Sequence, residues 1–276
     1  MLSALSWASL LSYLTALGIL WQYTTRPTRH TDFMRATILI VTLLGIIFHS
    51  VELYVRVASH RAATPDTLFS LGHSISLVAL VVTVMFVLVS MARSTLNLGL
   101  AILPTTMLGL LAGRWINPDH HPVIPLDRGF EWHLALAIIA FSLLSLAFAQ
   151  SVLIVIQEKQ LKALPDPESR TSLVSLPALQ SMETLLFQLL WLGFLALSLT
   201  LGMGILVNKA QYGVPLVFNH HTVLTIATWL GYCVLLGGRT FLYWRGRQAA
   251  IYTIICYSLF LLGYFGPRIV RELIIN

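Results

Sequence analysis

The chain has 276 residues, 57% of them hydrophobic and only 10% charged, with a formal net charge of +6. Soluble domains carry about 25% charged residues, so this composition excludes a water-soluble enzyme, a disordered chain and a secreted disulfide scaffold. At roughly 20 residues per crossing there is room for about eight membrane helices.

Eight apolar runs follow in chain order: Leu2–Tyr23, Ala36–Val57, Ser70–Ala92, Thr95–Ala112, Trp132–Ile156, Thr184–Val207, His221–Gly238 and Gln248–Val270. Most lack Asp, Glu, Lys and Arg in their middle. Backbone polar groups must be paired in lipid, and the runs lack the alternation of barrel strands, so they predict helices. The expected fold is an all-α, polytopic membrane bundle forming one transmembrane domain over residues 1–276. The fourth run is short and carries Pro104, which predicts a kink that a bundle absorbs. No convincing internal repeat is visible.

Arg26 and Arg29 follow the first run and no positive charge precedes it. This asymmetry predicts a retained helix with its amino terminus outside and the first loop in the cytoplasm. Carried forward, the alternation puts ten of the 17 Lys and Arg residues inside, with Arg26/Arg29, Lys159/Lys162 and Arg239/Arg245/Arg247 as the deciding clusters. The charge therefore reports topology and implies no nucleic-acid partner. Residues 157–183 form the longest inside segment, broken by Pro165, Pro167 and Pro177, and residues 113–131 form a proline-rich outside loop. Cys233 and Cys256 lie in apolar runs without a Cys-x-x-Cys motif, so neither a thiol relay nor a cysteine zinc site is expected.

Of nine histidines, only His30 falls on the inside; His49, His60, His73, His120, His121, His133, His220 and His221 fall in outside loops or outer helix halves. Neutral imidazole ligates haem iron and transition metals. His60, His120 and His121 also read as amphipathic residues of an interface. His133 opens the fifth helix and His220/His221 the seventh, so two helices of one bundle can turn imidazoles toward a common cofactor.

In the second run, His49, Glu52 and Arg56 are spaced by three and four, which puts them on one stripe with the last two in ion-pair register. Ionisable groups at membrane depth mark a site or pathway, or the pair anchors the helix at the headgroups; His73 is a candidate neighbour. Gly109 and Gly113 fit a close-packing motif. No phosphate loop, His-Glu-x-x-His or Gly-x-Ser-x-Gly motif is present, so hydrolase and ATPase chemistry has no carrier.

Several fragments of the carboxyl half are family-like: Gln157-Glu158-Lys159-Gln160-Leu161-Lys162, Leu176-Pro177-Ala178-Leu179-Gln180-Ser181-Met182-Glu183, His220-His221-Thr222-Val223-Leu224-Thr225-Ile226-Ala227-Thr228-Trp229, Trp244-Arg245-Gly246-Arg247 and Tyr264-Phe265-Gly266. In this order they resemble the cytochrome c assembly superfamily, most closely its YpjD-type and HemX-type inner-membrane branch, from about residue 130 onward. The resemblance implies haem handling at the outer face, with His133 matching an outer haem ligand and His220 matching a histidine of YpjD-like members. Three features of the haem lyase members are missing. Residues 212–219 contain no tryptophan, Gly237 and Gly238 stand where lyases have a helix histidine, and Pro267-Arg268-Ile269-Val270 stands where another outer histidine follows.

The expectation is therefore a multi-pass inner-membrane protein that assists cytochrome c assembly or haem delivery and is not itself a complete haem lyase. His133 would be one axial ligand and His220 or His221 the other, with His49 and His73 as a second pair. Its partners would be haem, the lipid bilayer and other cytochrome c maturation membrane proteins. Two alternatives stand beside it. One is an accessory subunit for divalent-cation efflux, partnered by a cation-efflux membrane protein, with a cation held by Glu52, His49 and His73. The other is a regulator of haem biosynthesis acting through residues 157–183.

Overall fold

The computed structural model describes residues 4–25, 32–63, 71–93, 95–115, 128–163, 178–217 and 220–270. His30, His120, His121 and the prolines of the 113–131 and 157–183 loops lie outside the described residues, as does the side chain of His60. Eight α-helices account for nearly all the rest: α1 (Ala4–Thr25), α2 (Asp32–Ala63), α3 (Leu71–Ala92), α4 (Gly99–Trp115), α5 (Arg128–Ala163), α6 (Leu179–Tyr212), α7 (His220–Phe241) and α8 (Gly246–Val270). A short 3-10 turn, Leu96–Leu98, leads into α4. Each helix contains most or all of one predicted run, and α4 continues through Pro104. Among the described residues there is no strand, and seven helices are long and apolar enough to cross a membrane.

The polarity of the helices is that of a protein solvated by hydrocarbon. In α1 the buried stripe is Ser6, Ser9, Tyr13, Ala16, Leu20 and Thr24, at helical spacing. Its outward face carries Trp7, Leu11, Leu14 and Trp21, all more than half exposed. Water would reverse this arrangement, whereas lipid accepts the large apolar side chains and leaves the small and polar ones to pack between helices. Buried hydroxyls satisfy themselves on the preceding turn, as Ser9 donates to Leu5 O and Thr42 to Ile38 O.

The helices fall into two compact four-helix units, α1–α4 and α5–α8. In the first, each helix packs on the next and α4 returns to α1. Its apolar core joins Tyr13, Ala16, Leu20, Ile38, Leu96 and Leu103. The second unit has the same neighbour order, with α8 returning to α5. Such up-and-down rings are what short loops between sequential membrane helices produce. The Gly109/Gly113 pair is a helix contact, as its spacing predicts. A Cβ on Gly109 would stand 2.5 Å from Ala79 Cβ, and one on Gly113 would stand 2.8 Å from Gly72 O.

At one end of the second unit two of the family-like fragments, residues 176–183 and 244–247, meet around Arg239. Glu183, in the first turns of α6, accepts from Arg239 Nη1 of α7 at 2.6 Å. The same guanidinium lies 4.4 Å over the Phe187 ring and donates to Trp244 O at 3.3 Å. Trp244 stacks on Tyr252 and lies so close to Gly238 that a Cβ there would come within 2.4 Å of its ring. Gly238 thus has a packing reason, since its position has no space for a side chain, whereas nothing lies within 4 Å of a Cβ on Gly237.

Candidate functional site

In the first unit, α1 and α3 begin at the end where α2 and α4 finish, and the His49/Glu52/Arg56 stripe lies there. Glu52 is 2% exposed, with Oε1 2.9 Å from Arg56 Nε and accepting from Ser6 Oγ of α1 at 3.2 Å. Its Oε2 is buried with no hydrogen-bond partner among the described residues. The Nε contact is an ion pair rather than a directed hydrogen bond, since Arg56 Nε has no partner of hydrogen-bond geometry among the described residues. Arg56 spends its other donors across the bundle: Nη1 donates to Gly113 O, and Nη2 to Ser76 Oγ of α3 at 3.1 Å. Gly113 lies in the closing turn of α4, whose last carbonyls have no intrahelical donor. The guanidinium therefore caps α4 and sits favourably at the negative end of its dipole.

His49 is fully buried one turn deeper and is engaged on both sides. Its Nε2 lies 2.9 Å from Ser76 Oγ, and its Nδ1 3.4 Å from Tyr13 Oη. With Arg56 donating to Ser76, the serine hydroxyl is placed to donate to Nε2, leaving Nδ1–H to face Tyr13. Ligating a metal through Nε2 would require the Ser76 bond to break. His73 is buried on α3, three residues before Ser76. Among the described residues, no three His, Cys, Asp or Glu side chains gather closely enough to hold a metal ion.

In the second unit, His133 lies in the first turns of α5 and faces α6, with Nδ1 3.1 Å from Thr200 O. A backbone carbonyl can only accept, so Nδ1 carries the proton and the neutral ring has its lone pair on Nε2. This is the way protein backbones orient ligating histidines. Gly204, one turn beyond Thr200, gives the ring its place: a Cβ there would lie 3.1 Å from His133 Cε1. Gly204→Leu is expected to displace the imidazole and break the Thr200 bond. Nitrogen-15 NMR of labelled histidine in micelles would show the Nδ1–H tautomer in the parent protein and its loss in the variant.

His220 and His221 open α7 and are exposed. Trp229 ties their helix to α6, donating from Nε1 to Ser198 Oγ at 2.9 Å while stacking on Phe194. From that tie, α6 runs on to Thr200 and Gly204, which hold His133, and α7 runs back to its histidines. Sequence reasoning singled out these histidines but missed Ser6, Tyr13, Ser76, Thr200 and Gly204, which orient two of the imidazoles and the Glu52–Arg56 pair. None of the five carries a motif, although Ser6 and Tyr13 are seven apart and therefore share a face of α1.

Comparison with known proteins agrees with this architecture. Residues 47–275 match the family described as Cytochrome C assembly protein. The chain belongs to that family. The match begins inside α2, so it takes in much of the first unit as well as the carboxyl half that carries the family-like fragments. The inner membrane protein YpjD of Escherichia coli (strain K12) is 24% identical over 241 residues, covering 87% of this chain and 88% of the relative. An Azospirillum brasilense protein described as "Uncharacterized 28.8 kDa protein in nifR3-like 5'region" is 28% identical over 196 residues, covering 68% and 69% of the two chains. This cytochrome c assembly family member is thus a multi-pass helical membrane protein.

Proposed function

We propose that this family member handles haem at the outer face of a bacterial inner membrane, delivering it or assisting cytochrome c assembly without being a complete haem lyase. The observation that carries the reading is the orientation of His133, whose Nδ1–H is held by the Thr200 carbonyl. The donor chemistry fits the group, since a neutral imidazole with its lone pair on Nε2 is an axial ligand type for haem iron. Haem, when bound, supplies an iron centre that accepts such nitrogens. His133 would hold it, Thr200 fixes the ring orientation, and His220 or His221 would provide the second imidazole from the helix that Trp229 fastens to α6. Residues 212–219 contain no tryptophan, and glycines stand at 237 and 238 where the resemblance implies a lyase histidine, which supports holding or passing on haem over thioether formation.

Purification from haem-replete cells and a visible spectrum test the reading. The expected result is a Soret band with bis-imidazole features, lost in His133→Ala and reduced in His220→Ala or His221→Ala. Protein that stays colourless at every haem level would overturn it. Retention of an unchanged spectrum in His133→Ala would overturn the ligand assignment.

A further inference from the structure

The turn between α7 and α8 carries a surface that haem ligation at His133 does not use. Its inner side is fixed: Leu242 N and Trp244 N both donate to Gly238 O, at 3.0 and 3.1 Å, and the Trp244 ring stacks on Tyr252. Outward, the same turn shows large apolar side chains, with Phe241, Leu242 and Tyr243 80%, 64% and 74% exposed. Tyr243 has a φ of 55°, a left-handed conformation that bulky residues rarely take. Glycine would serve there at less strain if the turn had only to reverse the chain, as Gly246 does at a φ of 54°. Arg245 and Arg247 follow and are exposed. The carboxylates described at this end are already engaged, Glu183 by Arg239 and Glu158 by Lys162, each at 2.6 Å. Among the described residues neither Arg245 nor Arg247 has a hydrogen-bond or ion-pair partner. Ser145 of α5 meets Tyr257 of the antiparallel α8 at 2.6 Å. Equal counts along the two helices then bring residue 157 level with residue 245, so the exposed Lys159 adds positive charge at the same depth.

We propose that this turn docks an anionic phospholipid of the leaflet at its end of the bundle. Arg245 and Arg247 take the headgroup phosphate, which the planar guanidinium suits, and Phe241, Leu242 and Tyr243 lie against the first methylenes of the acyl chains. Topology alone puts arginines at one end of a membrane helix. It does not call for three exposed apolar side chains in the turn itself, or for a tyrosine at a left-handed position. α7 is apolar and long enough to cross the membrane, so its last residue, Phe241, lies near headgroup depth. There an aromatic ring and an arginine stem both find one apolar and one wet side. A free phosphate would engage the arginines and leave the apolar trio in water, whereas a lipid covers both.

The inference is independent of haem and is tested on the full-length protein in a neutral detergent. Phosphatidylglycerol and phosphatidylcholine are supplied in equal amounts, and bound lipid is counted by native mass spectrometry. The wild type is expected to retain phosphatidylglycerol preferentially. Arg245→Gln and Arg247→Gln should each reduce the preference about fivefold, the effect of one positive charge at an anionic surface. Lys209→Gln, exposed on α6 at the opposite end of the unit, should keep it. Tyr243→Gly should bind phosphatidylglycerol several-fold more weakly while its thermal midpoint stays level or rises, since glycine relieves the left-handed backbone. Equal retention of the two lipids by the wild type would overturn the proposal. So would an unchanged preference in both arginine variants, an equal loss in Lys209→Gln, or full binding by Tyr243→Gly. Displacement of the lipid by inorganic phosphate at constant ionic strength would also overturn it, by assigning the arginines to a free anion.

Discussion

Arg56→Met is expected to destabilise the protein by about 3–5 kcal/mol, the usual cost of stranding one member of a buried ion pair. The side chains of Arg56 and Glu52 are only 13% and 3% exposed, so neither can recruit bulk water once the other is gone. The variant also uncaps Gly113 O and removes a donor from Ser76 Oγ, each worth about 1 kcal/mol. Removing both charges should be far gentler. Arg56→Met combined with Glu52→Met leaves an apolar contact of similar volume, and such replacements are often neutral or better. Thermal unfolding in detergent micelles reads both variants. A double variant weaker than Arg56→Met would show that the pair contributes net stability, against the expectation.

Gly109→Leu should be the most damaging single change at a helix contact. Even the Cβ would stand 2.5 Å from Ala79 Cβ, and because both Cβ atoms are fixed to their backbones, no rotamer relieves the clash. α3 and α4 must separate, at an overpacking cost of about 1–3 kcal/mol or more. Membrane helices associate largely through this kind of close fit, because lipid offers no hydrophobic drive to hold them together. Gly202→Ala is the contrast: nothing lies within 4 Å of its added Cβ. It should leave the unfolding midpoint unchanged or raise it slightly, since alanine favours a helix by about 1 kcal/mol over glycine. Equal losses in the two variants would mean that backbone preference, not the α3–α4 contact, governs the glycines.

The candidate residues were legible in the sequence to different depths. The His49/Glu52/Arg56 stripe follows from spacing alone, because three and four residues bring side chains to one face of any helix. Ser76 and Tyr13 were not legible as partners of His49, since that depends on which faces of α1 and α3 turn toward α2. His133 was legible from its place at the start of the fifth run and from its match to a family ligand, whereas the carbonyl that fixes its tautomer belongs to α6, 67 residues away. The same gap explains Arg239. In the sequence it is one member of a positive cluster, and only packing sets it between Glu183 and Phe187.

What the sequence by itself determined is the number of helices among the described residues, their limits to within seven residues, and the membrane as solvent. These depend on composition and run length, which lipid reads directly and without reference to neighbours. The tertiary structure alone decided which helices share a ring and which small residues bring them close. It also decided which hydroxyls and carbonyls complete each buried charge or imidazole. Those choices depend on how side chains fit between helices distant in the chain, and periodicity along one helix says nothing of the face its neighbour presents.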